Sequence, residues 1–202
     1  PLGRGRRWTF LASASREADD QESVVYALTP AGLWREQVPR LEREAEINLR
    51  LNYQPDEKRW LAWRYEREND STLGDDIGGF DLPEVGTDSA EREQALYFSL
   101  QQVHGLRWLH QFQARLRHGR EQLLSWRPGV VRIVVEDAFT GGGAQRQELL
   151  RRTGAEVRDL WSRSSSRHWL KAGWSLTELD RFEYRNQSNR EGTFRFASLE
   201  DY

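Results

Sequence analysis

Apolar residues recur along this chain at two spacings, and the spacing assigns the elements. RWTFLA (7–12) and VVYAL (24–28) are short runs of β-forming residues on either side of the polar SASREADDQES, and read as two strands. LTPAG then places Thr29 as an N-cap and Pro30 at the first helical position, where its missing N–H costs nothing. Trp34, Val38, Leu41, Ala45 and Leu49 follow at helical intervals, which predicts a helix over 30–50 with a kink at Pro39. RWLAWRYE (59–66) alternates as a strand does, with Leu61, Trp63 and Tyr65 on one face and Trp60 and Ala62 on the other. A second helix is expected from Asp88, with Glu91 as its capping-box partner and Leu96, Leu100, Val103, Leu109, Phe112, Leu116 and Leu123 as its apolar stripe. Unbroken over 88–118 it would be about 46 Å long at ~1.5 Å per residue. It would therefore cross the whole body, bend at Gly105 or project into a partner.

Residues 129–161 (GVVRIVVEDAFTGGGAQRQELLRRTGAEVRDLW) read as strand, glycine turn, a helix over 144–153 capped by Gly154, and a second strand over 155–161. RFEYR and TFRFA, around NQSNREG, read as a terminal antiparallel hairpin with Phe182, Tyr184, Phe194 and Phe196 inward. The expected fold class is therefore mixed α/β (α+β): hairpins at both ends, a long central helix, and a βαβ-like unit at 129–161. The organisation expected is a strand–helix–strand segment (1–67), an acidic loop (68–88), and a long helix with an α/β segment (89–202), as separate domains or as one.

Composition narrows the chemistry. With 37% hydrophobic and 31% charged residues, the 202-residue chain reads as a soluble globular protein, and its nine tryptophans offer unusual apolar area for a core or an interface. The absence of cysteine removes disulfides, thiol catalysis and cysteine-ligated metal sites. No apolar run approaches the ~18 residues of a helical membrane span, so no span is expected. The absence of methionine suggests excision from a longer protein, and arginine-dominated basic residues suggest a GC-rich bacterial source. Cytoplasm is preferred to periplasm. Twelve basic residues and six acids lie between Arg115 and Lys171, a local net of +6 within a chain of net −2. The 68–88 stretch carries seven acids and no base, but its spacing misses the calcium-loop pattern.

Several side chains are candidates for chemistry. Glu136 and Asp137 close an apolar strand, where ligands of α/β sheets sit, and could serve acid–base or metal work or simply cap a turn. Gly141-Gly142-Gly143 before the expected helix could cradle an anion or be a plain turn. His104, His110 and His118 would lie on one helix at spacings that cannot share a metal, so no metal or cofactor is expected. Arg151, Arg152, Arg158, Arg163 and Arg167, with Trp161 and Trp169 between them, could bind a phosphate backbone or belong to a salt-bridged surface.

Two family resemblances touch short segments. The strand–LTPAG–helix junction resembles the end of the wing in MarR- or PadR-like winged-helix regulators, which implies DNA binding, although no recognition helix precedes it here. The 129–171 region looks a little like a phospholipase-D-type half-domain. That resemblance implies a histidine nucleophile at His168 and a phosphate-binding lysine at Lys171. The spacing here is H-x-x-K, one residue longer than that family's motif, and a one-residue slip on a strand turns the two side chains to opposite faces.

The function expected is a non-catalytic binding or regulatory role in a larger protein or complex, through a protein partner or homo-oligomer. The alternatives are a divergent phosphodiesterase- or nuclease-like hydrolase using Glu136, Asp137, His168 and Lys171, and nucleic-acid binding through 115–171.

Overall fold

The computed structural model describes residues 7–202, and among them there is no α-helix. Seven long strands form one antiparallel sheet: β1 (Trp8–Thr29), β2 (Gly32–Asp56), β3 (Arg59–Asp75), β4 (Thr87–His104), β5 (Trp108–Ser125), β8 (Gln147–Ser164) and β9 (Trp169–Asn186). They lie in that order, each beside its predecessor, as a meander. Between β5 and β8 the chain makes the small hairpin of β6 (Arg132–Val135) and β7 (Phe139–Gly142), and β10 (Thr193–Phe196) adds to β6 in parallel. A single 3₁₀ turn at Pro83–Val85 is the only helical element described.

The mixed α/β expectation is therefore corrected to an all-β fold. The helix expected over 30–50 is part of β2, and the long helix over 88–118 is the β4–β5 hairpin, with Gly105 in its turn. The reason lies in the spacing itself. Leu41, Ala45 and Leu49 are four apart, an interval that satisfies a helical period near 3.6 and a strand period of 2 alike. The intervening residues break the tie: Ile47, Leu51 and Tyr53 share the parity of Leu49, while Asn48, Arg50 and Asn52 take the other. Leu96, Phe98 and Leu100 alternate with Tyr97, Ser99 and Gln101 in the same way. Pro39 interrupts nothing, because it lies where β2 pairs with β1 alone, before pairing with β3 begins at Leu41. Asp88 caps no helix; its carboxylate accepts hydrogen bonds from the Gly74 N–H and the Trp126 indole.

The βαβ-like unit is likewise corrected. Its first strand is β6, its glycine turn is β7, and its expected helix 144–153 runs into β8. Gly154 is no helix cap. It lies in mid-β8, where a Cβ would collide with the Asp180 carboxylate and approach Arg117 Nε to 2.6 Å. The terminal hairpin divides: RFEYR belongs to β9, whereas TFRF pairs with β6. The two strands expected at 7–12 and 24–28 are one strand, β1, because the polar stretch between them pairs with β2 throughout.

The buried core sits at one end of the sheet. The distal parts of β1 and β2 bring Val25, Ala27 and Val38 against Ile77, Leu82, Val135, Ala138 and Phe139. Among the described residues, the opposite end carries tight turns at 57–58, 105–107 and 165–168. Over most of the sheet no second layer of described residues covers either face.

Candidate functional site

The sheet's two faces differ in kind. One face carries three complete rows of side chains across all seven strands. The first row runs Trp8, Tyr53, Leu61, Leu100, Phe112, Asp159 and Trp174. The middle row runs Phe10, Leu51, Trp63, Phe98, Ala114, Val157 and Leu176. The third runs Ala12, Leu49, Tyr65, Leu96, Leu116, Ala155 and Leu179. Twenty of these twenty-one positions are apolar or aromatic. The band extends along β2 from Ala45 to Tyr53 and along β5 from Trp108 to Leu116, nine residues or roughly 26–30 Å at ~3.3 Å each. On β3 it is shorter and ends at Arg59 and Arg67, whose long side chains can carry their charge clear of the band.

This band is open to its surroundings. Phe10 is 83% exposed and Leu116 57%, and Trp8, Leu49, Leu96, Trp174, Leu176 and Leu179 are also exposed. Rings meet along it: Trp8 stacks on Tyr53 at 4.0 Å, and Trp63, Phe98 and Phe112 continue the contact at 5.5 and 6.0 Å. The one acid in the three rows, Asp159, is held by His110 Nε2 at 2.8 Å, and the His110 ring stacks on Trp161 at 4.0 Å. An exposed apolar surface this continuous is rare on a water-soluble monomer.

The other face is polar and concave. Arg50, Arg64, Tyr97, Arg115 and Glu156 form one row across β2, β3, β4, β5 and β8. They line a cavity of about 570 Å³ that also takes in Trp60, Arg158 and Ser175. Residues from β2 and from β9 face one cavity, which requires the sheet to curl toward this face. Tyr97 lies between two guanidiniums, 4.0 Å from Arg64 and 5.1 Å from Arg115. Farther along the strands come two acidic rows, Glu46–Glu68–Glu93 and Glu44–Asp70–Glu91–Glu121. Charge repulsion from Asp70, then burial, raises the Glu68 carboxyl above its ordinary range. Burial, then Glu121, does the same for Glu91. Oxygens of Glu44, Glu68 and Asp70 lie within 4.8 Å of one another, the one such grouping of potential metal ligands among the described residues. At the β9 side, Asp180 accepts from Arg117 at 2.6 Å and Arg152 at 2.5 Å, and these bonds, Arg117's first, hold its carboxyl below the usual range.

The sequence-derived candidates are dispersed. Glu136 and Asp137 occupy the tight, exposed β6–β7 turn, Asp137 with a φ of 56°. His168 closes the β8–β9 turn with Ser165, at the opposite end of the long sheet, and Lys171 lies nearby with Nζ 5.9 Å from the Trp169 ring. The four do not converge. The glycines hold an anion of the protein's own: the Gly142 N–H donates to Glu84 Oε1 at 2.6 Å, and Arg127 pairs with Glu84 at 2.7 Å. Gly142 has a φ of 81°, and a Cβ there would strike the Val131 carbonyl, so both backbone shape and packing call for glycine. The five arginines separate by strand parity. Arg151 pairs with Glu183, and Arg163, 5.2 Å from the Trp108 ring, stands on the same apolar-side parity. Arg152 and Arg158 stand on the polar face, and Arg167 is in the turn.

Sequence reasoning missed both the apolar band and the arginine–tyrosine row. The signal for the band was present in the even-numbered apolar residues of 96–100 and 112–116 and the odd-numbered ones of 47–53. The row had no local signal, since its members come from five strands. No protein-family model, curated protein or solved structure matches this chain.

Proposed function

We propose that this chain is a section of the wall of a membrane-spanning antiparallel β-barrel, acting without catalysis inside a larger protein or complex. The supporting observation is the uncovered apolar band opposite a concave polar face. Membrane strands need about 9–11 residues when tilted, with an apolar side to lipid and a polar side to the lumen. The band on β2 and β5 has nine. Trp8, Tyr53, Trp108, Trp161 and Trp174 gather toward the tight-turn end, where an interfacial aromatic girdle would lie. No helix among the described residues is long and apolar enough to cross a membrane; strands cross by a different pattern. The contacts expected with other protein would then be strand pairing, because the outer edge of β9, and of β1 over its first half, has no partner among the described residues.

The absence of native cysteine makes the test direct. Single cysteines from Leu96 to Gln101, each carrying a nitroxide, are placed in the chain reconstituted in lipid vesicles. Collisions with oxygen should peak at Leu96, Phe98 and Leu100, and collisions with a water-soluble nickel chelate at Tyr97, Ser99 and Gln101. Equal nickel access on both parities, or protection of the even positions by a second copy in lipid-free solution, overturns the proposal.

A further inference from the structure

The concave face concentrates positive charge around open space. Four guanidiniums, those of Arg50, Arg64, Arg115 and Arg158, line the 570 Å³ cavity, and Glu156 is the one carboxylate in its lining. Arg50 and Arg64 stand directly opposite each other on paired strands, an arrangement that costs stability unless an anion compensates it. Their existing partners are modest. Arg64 reaches Glu66 at 3.2 Å, Arg115 reaches Glu156 at 3.5 Å, and Arg50 donates to Asn52 at 3.2 Å. Arg158 has no ion pair or hydrogen bond to any described residue, and Arg115 Nε is buried without a hydrogen-bond partner. The cavity's size suits a small solute rather than a bare ion.

We infer that this cavity binds a small solute bearing a carboxylate or phosphate group, clamped by Arg64, Arg115 and Arg158 over the Tyr97 ring. Guanidinium forks match the planar oxygen pair of such groups, and several around one anion give specificity that a single surface arginine lacks. Site and lipid-facing wall are independent, because the site needs only the curl of the sheet. Retained anion binding with failed lipid labelling would remove the wall and keep the site, and the reverse would do the opposite.

The test is calorimetric titration of the detergent-solubilised full chain with citrate and, separately, inorganic pyrophosphate, at about 150 mM salt so that diffuse attraction is screened. Saturable binding of at least one is expected, weakened about tenfold or more by Arg158→Gln and by Arg64→Gln, a loss typical of one charge-assisted hydrogen-bond pair. Glu91→Gln, on the acidic rows, should leave it unchanged. Arg115→Gln replaces either variant should one fail to fold. Which anion binds tells carboxylate from phosphate. No saturable heat with either, or equal affinity in all variants, overturns the proposal.

Discussion

Asp159 is the residue that tests the apolar band most sharply, because it is a carboxylate in the middle of it. His110 satisfies it at 2.8 Å, with the histidine side chain 15% exposed and the aspartate 22%. Removing one partner leaves the other unsatisfied, which costs about 1–3 kcal/mol, whereas replacing both with apolar groups can be nearly neutral. His110→Phe should therefore lower the unfolding free energy by that amount, and His110→Phe with Asp159→Leu should restore most of it. Denaturant titration checks both, and additive losses would contradict the coupling. Little of this pair was legible beforehand. Forty-nine residues separate its members, and only the β5–β8 register brings them together. Gly142 shows the same limit: GGG is visible as a string, but that its N–H faces Glu84 depends on a loop 58 residues away.

At the level of strands, parity is the organising variable. On β2, Leu49 and Asn48 are neighbours in sequence and opposite in environment. If the Leu49 side meets lipid, Leu49→Arg should cost about 2–4 kcal/mol in vesicles, as a cationic side chain does near a bilayer midplane. Asn48→Arg should change stability by less than about 0.5 kcal/mol. Urea-induced unfolding from vesicles measures both, and equal costs would count against the lipid assignment. The strand read over 59–66 is the first half of β3, because Leu61, Trp63 and Tyr65 at strict alternation admit no helical reading. The acidic loop expected over 68–88 is corrected: residues 68–75 complete β3, paired with β2 through Leu73, and β4 begins at Thr87. The β2 and β4–β5 segments were misread because their leucines fall at intervals of four within helix-favouring Glu, Gln, Arg and Ala. Local propensity and periodicity agreed there on the wrong answer, and pairing on both sides of each strand outweighed them.

For the molecule as a whole, charge is layered along the strands, with arginines around the cavity and acids beyond them. Glu68 and Glu91 have raised carboxyl pKa values in the fold, so their ionisation works against it. That penalty is absent below the ordinary carboxylate range near pH ~4.3. It grows as pH rises through that range, and is complete above the raised folded values. Asp180 and Asp56 have lowered values and act oppositely, stabilising above the ordinary range and losing that contribution as pH falls through their depressed ones. The melting temperature should therefore rise as pH falls through the raised values of Glu68 and Glu91 toward the ordinary carboxylate range, and fall again in stronger acid as Asp180 and Asp56 take up protons. Glu68→Gln with Glu91→Gln should raise it at neutral pH and flatten the mildly acidic rise. Thermal melts followed by circular dichroism across pH decide this, and an unaltered rise in the double variant would contradict the row assignment.

The sequence by itself determined which residues share a parity, where tight turns can form, and which chemistries lack the atoms to occur. Those are local properties, set by neighbours a few bonds away. Only the tertiary structure decided that the chain is all β, that Phe10 and Leu176 share one uncovered surface, and that Arg50, Arg64, Tyr97 and Arg115 share one row. Those facts depend on register between strands far apart in the chain, and register is fixed by the summed pairing of whole strands rather than by any short stretch.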